Sequence, residues 1–338
     1  MKQNVETVQD EQAPFKSGYI AIAGRPNTGK STFLNQVLGR KVAIVTHKAQ
    51  TTRSQILGVH HGPHCQMVFL DTPGIHDPGR SFLNSAMVQT ALDTCRDVDL
   101  ILYFIDVPGG VTQEDWDILA KLPHEKVPIL LIINKVDRVP KTKLMPMMGA
   151  LGEGGQGVVF KELIPLSALT GENVERVLTA IPNYLPEGPR YFPEDQITDQ
   201  PESFMAAEII REKLFNLLQQ ELPYSLAVRV DSFEKRGEDE DRTGKKGKKG
   251  QNKARQPIWD MSATILVERD SQKGIVIGKG GVVLKRVGMS VRKELEELLK
   301  IKLYLKLWVK VKKDWSINAE LLRSLGYPDG QNRDEEGS

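Results

Sequence analysis

The 338-residue sequence contains few cysteines and no long apolar run. Its two cysteines, Cys65 and Cys95, do not stand at metal-ligand spacing, which argues against a disulfide framework and a structural zinc site. No apolar run approaches the roughly 18 residues of a membrane span. The polar, acidic first 12 residues lack the apolar core of a signal peptide. A reduced, cytoplasmic protein is therefore expected, and its length predicts two domains.

Charge is nearly balanced, at a net +2, but it is unevenly distributed. Residues 273–313 contain 12 Lys or Arg against 3 Asp or Glu, an excess of +9 that predicts a polyanionic partner. Residues 236–256 are of low complexity, with seven basic residues from Arg242 to Arg255. Such a segment cannot bury a core, so a disordered insertion is predicted, either a solvated loop or an arm that contacts RNA.

The first chemical motif is a glycine-rich loop that follows an apolar run, Tyr19–Ala23. Gly-x-x-x-x-Gly-Lys-Ser between a strand and a helix is typical of a phosphate cradle, because the glycines let backbone N–H groups wrap a polyphosphate. Lys30 is expected to reach the β and γ oxygens, and Ser31 to ligate Mg²⁺. The predicted nucleotide contacts of this loop are Gly24, Arg25, Pro26, Asn27, Thr28, Gly29, Lys30, Ser31 and Thr32.

Three further motifs, each closing an apolar strand, follow in the order that a guanine-nucleotide switch requires. Asp71 can hold a Mg²⁺-bound water, and the Gly74 N–H can meet the γ-phosphate. Asp137 can accept both the ring N–H and the exocyclic amine of guanine, a donor pair that adenine lacks. The Ala168 N–H can donate to guanine O6. The predicted contacts with GTP or GDP are Asp71, Thr72, Pro73, Gly74, Asn134, Lys135, Asp137, Ser167, Ala168 and Leu169.

The segment between the first helix and the second strand is where a loop that senses the γ-phosphate is expected. The predicted residues of this switch are Gln50, Thr51, Thr52, Arg53 and Ser54. Thr52 is favoured as the Mg²⁺ ligand that joins Ser31 and Asp71, with Thr51 as the alternative. A second interpretation is that these threonines only begin a strand.

One expected side chain is missing after Gly74. Ile75 stands where many GTPases place a glutamine that orients the attacking water, so no catalytic residue is assigned and slow intrinsic hydrolysis is predicted. Asn27 is a candidate ligand for a K⁺ ion that would act in place of an arginine finger. The alternative for Asn27 is hydrogen bonding within the loop. The expected cofactors are Mg²⁺ and, on this hypothesis, K⁺.

Apolar runs alternate with amphipathic stretches from Tyr19 to about Leu185, which predicts an α/β domain with a mostly parallel sheet covered by helices on both faces. Strands are predicted at 19–23, 54–60, 65–71, 99–105, 127–133 and 158–166. Helices are predicted at 30–38, 81–94, 113–122, 141–150 and 173–184. The predicted divisions are a disordered extension at 1–16, a GTPase domain at 17–190, a linker at 191–202, a second domain at 203–327 and a disordered tail at 328–338.

The second domain is predicted to be α+β, with a helix at 203–221, strands at 225–233 and 258–269, helices at 281–287 and 289–300, and a last strand from Ile301. A Gly-x-x-Gly loop within this order is typical of a type II KH domain, although a plain glycine turn is an alternative. The predicted RNA contacts are Gly278, Lys279, Gly280, Gly281, Lys285 and Arg286. Tyr304 and Trp308 alternate with lysines, and either stack bases or belong to a solvated sheet face.

Taken together, Gly-Arg-Pro-Asn-x-Gly-Lys-Ser, Lys-Ala-Gln-Thr-Thr-Arg, Asp-Thr-Pro-Gly and Asn-Lys-Val-Asp ahead of a type II KH domain resemble the Era family of bacterial ribosome-assembly GTPases. The resemblance covers roughly residues 17–327. It implies binding near the 3′ end of 16S rRNA, a role in 30S maturation and peripheral association with the inner membrane. The related Der family has two GTPase domains, and only one is seen here.

A monomer is expected. Two other functions compete with this interpretation. One is a membrane-associated signalling GTPase whose basic C-terminal domain binds anionic lipid. The other is an RNA-binding module with a vestigial nucleotide fold, against which the full set of nucleotide motifs argues.

Overall fold

The computed structural model describes residues 14–48, 50–152, 154–155, 157–218, 222–236 and 258–328. Within these ranges an α/β domain precedes an α+β domain, which confirms the predicted fold class. The predicted disordered extension up to residue 13, the insertion at 237–256 and the tail from 329 lie outside the described residues. No helix in the described ranges combines the length and the apolar character that a membrane span requires.

The first domain is built on a six-stranded sheet with the order β2-β3-β1-β4-β5-β6. The strands are β1 (Lys16–Gly24), β2 (Ile56–His61), β3 (Cys65–Asp71), β4 (Leu100–Asp106), β5 (Ile129–Asn134) and β6 (Glu162–Pro165). All neighbours run parallel except β2 and β3, which pair antiparallel. The sheet is mostly parallel, as its continuous apolar strands predict.

Five helices cover the two faces of this sheet. They are α1 (Lys30–Leu38), α2 (Phe82–Thr94), α3 (Gln113–Leu119), α4 (Lys141–Gly152) and α5 (Val174–Ala180). Alternate residues of β4 are buried on opposite faces: Leu102 packs with the side of α1 and α5, and Tyr103 with the side of α2, α3 and α4. Because parallel strands end at one edge, the motifs that close β1, β3 and β5 meet there.

The second domain contains a three-stranded sheet with the order β7-β8-β9. Its elements are α6 (Glu202–Leu217), β7 (Leu226–Lys235), β8 (Ile258–Val267), α7 (Asp270–Ile277), α8 (Val282–Leu299), β9 (Lys302–Val311) and the short α9 (Ala319–Ser324). β7 and β8 pair antiparallel, whereas β8 and β9 are parallel. The order helix, strand, strand, helix, helix, strand agrees with the one predicted for a type II KH domain, but the helix pair differs: α7 lies before Gly278, where no helix was predicted, because both helices were expected after Gly281.

Several predicted boundaries in the chain are wrong. The helices predicted at 281–287 and 289–300 form one helix, α8, which continues through Gly288. A glycine inside a helix costs only about 1 kcal/mol, and Leu307 of β9 lies 3.7 Å from where a Gly288 Cβ would stand, so packing outweighs the glycine signal. Helix α6 ends four residues early because Leu218 has an extended backbone. Strand β6 is also shorter than predicted.

The two domains are joined by more than the connecting segment. Residues 191–198 lie along β2 and β3: Val59 N–H donates to Ile197 O at 2.9 Å, and Gln66 Oε1 accepts from Tyr191 N at 2.7 Å. Beyond the segment, Leu83 and Met87 of α2 share a buried cluster with Trp315, Leu322, Leu325 and Tyr327. Helix α2, which follows β3, therefore packs directly on the second domain.

Candidate nucleotide and RNA sites

The phosphate loop is shaped around the side chain of Lys30. β1 ends at Gly24 and α1 begins at Lys30, whose amino group donates to Gly24 O at 3.0 Å and Arg25 O at 2.8 Å. Burial lowers the pKa of Lys30 to about 8, against the opposing charge of Asp71. Gly29 has a φ of 100°, and a Cβ there would stand 2.1 Å from Asn134 Nδ2, so glycine is required.

The three predicted Mg²⁺ ligands converge beside this loop. Ser31 Oγ lies 2.6 Å from Asp71 Oδ2 and 2.9 Å from Thr52 Oγ1. Asp71 is fully buried, and its Oδ1 has no hydrogen-bond partner. Burial raises the pKa of Asp71 to about 6, while Lys30 and Ser31 favour its charged form. An unpartnered carboxylate oxygen next to two hydroxyls fits a hexacoordinate Mg²⁺ and its bound water.

Thr51 lies differently from Thr52. Its hydroxyl donates to Lys48 O at 2.7 Å and lies 2.7 Å from Thr46 Oγ1, within its own loop. The geometry thus favours Thr52 over Thr51 as the metal ligand. Neither threonine belongs to a strand, since β2 begins at Ile56.

The motifs enclose a cavity of about 330 Å³, a size suited to a small ligand. The predicted residues that line it are Pro26, Asn27, Gly29, Lys30, Ser31, Thr32, Gln50, Thr51, Thr52, Gly74, Asn134, Lys135, Asp137, Ala168 and Leu169. The other lining residues were not among the predicted site residues, although Thr46 and His47 lie in the loop where a switch was expected: Ile44, Val45, Thr46, His47 and Arg138. Their place in the loop after α1, or next to Asp137, is the only sequence signal that points to them.

The Asn134 side chain links three backbone groups at the end of the cavity where the guanine base is expected. Its Nδ2 donates to Thr28 O at 2.7 Å, and its Oδ1 accepts from Lys135 N at 2.7 Å and Ala168 N at 2.9 Å. The Ala168 N–H predicted to reach guanine O6 is therefore directed at Asn134, and contact with the base requires that bond to be exchanged. The Asp137 carboxyl group is exposed at the cavity, as guanine recognition requires.

Some residues predicted as nucleotide contacts do not line the cavity: Gly24, Arg25, Thr28, Asp71, Thr72, Pro73 and Ser167. The Arg25 side chain points away, and its Nε donates to the buried Asp115 at 2.8 Å. The hydroxyls of Thr28 and Thr72 donate to the carbonyls of Arg25 and Ile22 at 2.9 and 2.8 Å. These two hydroxyls therefore satisfy backbone carbonyls and shape the loop.

The segment after β3 approaches the phosphate loop closely. A Cβ on Gly74 would stand 2.7 Å from the backbone of Pro26, which explains the need for glycine. Ile75 is 2% exposed and packs in the core, so it cannot orient water. Gln50 Nε2 lies 3.3 Å from His76 Nε2 and links this segment to the predicted switch.

Two predicted switch residues, Arg53 and Ser54, lie at the domain interface and not at the cavity. Arg53 is 2% exposed and donates to Leu226 O at 2.7 Å and Tyr224 O at 2.9 Å. Three aromatic rings of the KH side surround its guanidinium within 6 Å, those of Phe215, Trp315 and Tyr327. Ser54 donates to Gly326 O. Sequence position alone made these residues look like nucleotide sensors, but their side chains are taken up by the second domain.

Further charged contacts tie the same loop to the KH domain. Arg211 of α6, fully buried, donates to Thr51 O and to Glu208. Burial disfavours its charge, but Glu208 keeps the Arg211 pKa above its usual value. Lys48 donates to backbone carbonyls at the end of α6, and Lys41 lies 2.7 Å from Glu212. The sequence analysis did not predict a role for Lys41, Lys48 or Arg211. The signal that could have pointed to them is Arg211 itself, a charged residue on the apolar face of α6.

The Gly-x-x-Gly loop joins α7 to α8. Gly278, Gly280 and Gly281 all have positive φ, at 74°, 61° and 78°. The basic side chains around them, Lys279, Lys285 and Arg286, are exposed. A glycine loop with exposed cations at the N-terminus of an 18-residue helix can receive a sugar-phosphate backbone.

Comparison with known proteins matches both halves of the chain. Residues 19–135 match the family described as 50S ribosome-binding GTPase, and residues 221–316 match a KH domain family. GTPase Era from Geotalea uraniireducens is 45% identical over 313 residues, which cover 93% of this chain and 98% of the relative. GTPase Era from Geobacter metallireducens is 46% identical over 317 residues, with coverage of 93% and 98%.

Two solved structures are similar over nearly the whole chain. One is a variant of Aquifex aeolicus Era bound to GDP·AlF4⁻, and the other is Era in complex with MgGDPNP and nucleotides 1506–1542 of 16S ribosomal RNA. Each has a TM-score of 0.83 and 38% identity, and the match covers 93% of this chain and 99% of the structure.

The fold and the site define a P-loop GTPase with an appended KH domain, an enzyme that hydrolyses GTP to GDP and phosphate. The chain belongs to the Era family of GTPases, as its motifs predict.

Proposed function

We propose that this GTPase is a nucleotide-controlled RNA-binding switch. It binds 16S rRNA near the 3′ end through the KH domain and acts in assembly of the 30S subunit. The complex of a relative with an rRNA fragment supports the RNA assignment. One observation carries the switch: Thr52 meets Ser31 at the metal site, and the next residue, Arg53, is buried in the KH domain.

The coupling follows from that adjacency. Thr52 and the segment at Gly74 would hold Mg²⁺ and a γ-phosphate, and both would be released when the phosphate is lost. Arg53 and the Thr51 carbonyl are held by the KH domain, so the loop cannot move without shifting those contacts. Nucleotide state thereby changes how the domain presents the Gly278–Gly281 loop.

Two cations, Mg²⁺ and K⁺, belong to the proposed mechanism. Ser31, Thr52 and, through water, Asp71 would hold Mg²⁺, which would supply positive charge to the phosphates. With Ile75 buried, Asn27 would hold a K⁺ ion that supplies positive charge near the reacting phosphate. Asn27 has a φ of 62°, and its Nδ2 donates to His47 O at 3.1 Å, which positions its amide beside the cavity. Turnover measured in KCl and NaCl at equal ionic strength tests this, and equal rates would remove K⁺ from the account.

The RNA assignment is tested with a 37-nucleotide RNA spanning 16S nucleotides 1506–1542 and a scrambled strand. Binding is measured with GDP and with a GTP analogue over a salt series. Tighter binding of the native fragment, strengthened by the analogue and lost in Gly280→Asp, is expected. Gly157→Asp is the matched control, because Gly157 also has positive φ and open space around it. Equal affinity for both strands with a steep salt slope would show that charge alone drives binding.

Peripheral contact with the inner membrane and a monomeric state are further parts of this proposal. The exposed cations on α8, including Lys285 and Arg286, support attraction to anionic lipid. Vesicle sedimentation without RNA tests this contact. Strong binding that RNA does not displace would favour a membrane-signalling GTPase over an RNA switch. Light scattering tests the oligomeric state.

A further inference from the structure

The sheet of the KH domain has an outer face that its helices leave open. In β9, Leu303 and the alternate residues after it pack towards α7 and α8. The residues between them point the other way and are exposed: Lys302, Tyr304, Lys306, Trp308 and Lys310. Tyr304 is 51% exposed and Trp308 is 56% exposed. Two large aromatic rings held on a flat, solvent-facing strand indicate a binding surface.

The charge on this face is positive along β9. Asp260, paired in register with Tyr304, is ion-paired with Arg236 at 2.6 Å, and the Arg236 guanidinium lies 5.5 Å from the centre of the Tyr304 ring, which keeps half of its surface exposed. On β7, Arg229 pairs with Asp231 at 2.9 Å, and Glu234 lies on the strand farthest from β9. β9 itself contains no acidic residue between Lys302 and Val311. The outward-facing side chains of β9 therefore suit a polyanion that also has flat apolar groups.

Spacing favours a single-stranded nucleic acid. Tyr304 and Trp308 are four residues apart on one strand, about 13 Å at roughly 3.3 Å per residue. Lys306 lies between them, with its Nζ 5.4 Å from the Tyr304 ring centre. Aromatic rings on a sheet stack two or three unpaired bases, and lysines between them meet the phosphates. A duplex offers no unstacked base to these rings.

We propose that this outer face is a second RNA-binding surface, which takes a short single-stranded segment by stacking bases on Tyr304 and Trp308. The inference rests on the proposed RNA-binding function. It adds a site separate from the Gly278–Gly281 loop, which lies with α7 and α8 on the other face. One RNA strand can thus be held at two places on the domain.

The test is fluorescence of Trp308 in the full chain bound to GDP, titrated with an eight-nucleotide oligoadenylate. Trp315, at 0% exposure, does not report on solvent contacts, and subtracting the signal of Trp308→Phe isolates Trp308. Saturable quenching of Trp308 is expected. Trp308→Ala should weaken RNA binding about tenfold, and Trp308→Phe should keep affinity within about threefold, because a phenyl ring still stacks. Ile317→Ala, a comparably exposed apolar residue outside the sheet, is the control and should change nothing.

Gly280→Asp separates this inference from the proposed function. Quenching that persists in Gly280→Asp supports a second surface, even if that substitution leaves total RNA affinity unchanged and the Gly-x-x-Gly assignment fails. Absence of quenching, while binding still depends on Gly280, overturns the inference and leaves the proposed function intact. A hairpin duplex that quenches Trp308 as well as the single strand does would also overturn it.

Discussion

Replacing Arg53 with alanine should uncouple the KH domain from the bound nucleotide. The change removes hydrogen bonds to Tyr224 O and Leu226 O and contacts with three aromatic rings. Each hydrogen bond to a charged donor contributes about 1.5–3 kcal/mol. Burial of the guanidinium works against this, since it lowers the Arg53 pKa. Two such bonds lost together cost about 3–6 kcal/mol before that offset is subtracted.

This loss of free energy is larger than the coupling free energy expected between the nucleotide site and the RNA site. Coupling between two binding sites is typically about 1–3 kcal/mol, or roughly 5- to 150-fold in affinity. If Arg53 transmits the nucleotide state, the ratio of RNA dissociation constants in GDP and in a GTP analogue should fall to about 1 in Arg53→Ala. Arg53→Lys keeps the charge without the forked donors, so an intermediate ratio is expected.

The assay is RNA binding by Arg53→Ala and wild-type protein in both nucleotide states, with thermal unfolding alongside. Arg190→Ala is the control, because Arg190 is a half-exposed arginine that also lies over an aromatic ring, Phe15. Unfolding of Arg53→Ala should separate into two transitions, since the domains lose a shared contact. A wild-type nucleotide ratio together with a single transition would refute Arg53 as the coupling residue.

Three further variants test individual contacts. Asp137→Asn should weaken GDP binding by about 100-fold or more, because the guanine donor pair loses its acceptor; fluorescent-nucleotide titration measures it, and unchanged affinity would contradict the assignment. Thr52→Ala should weaken binding of a GTP analogue more than binding of GDP in calorimetry, and an equal loss would count against Thr52 as the sensor. Lys41→Ala should lower the free energy of unfolding by about 1 kcal/mol, because Lys41 pairs with Glu212 and Glu294. A double-mutant cycle with Glu294→Ala should show coupling between the two residues, and strictly additive effects would contradict the pairing.

Much of the nucleotide site was predictable because its motifs are local. Each lies at the end of an apolar strand, and parallel strands bring such ends to one edge. Ser31, Thr52 and Asp71 are spread over 40 residues of sequence, and yet the Thr52 hydroxyl and the Asp71 carboxylate both lie within 2.9 Å of Ser31 Oγ. Helix α1 begins and ends where its pattern predicts.

The predictions that were wrong concern residues whose positions depend on contacts between distant segments. Nothing near Arg53 in the sequence distinguishes a mobile switch arginine from one buried under Trp315 and Tyr327. Gly288 suggested a helix break, but packing against β9 keeps α8 continuous. The Ala168 N–H was expected at the base, whereas Asn134 accepts its hydrogen bond. Local propensity is overridden in these places by tertiary packing or by a competing partner.

The most direct test of the account is the distance between the two domains in each nucleotide state. Spin labels at Arg176→Cys on α5 and Lys293→Cys on α8 place one probe on each exposed helix surface. The native Cys65 and Cys95 are buried and should not react. A distance distribution that shifts between GDP and a GTP analogue, and stops shifting in Arg53→Ala, is predicted. Identical distributions in both states would contradict a switch that works by moving the KH domain.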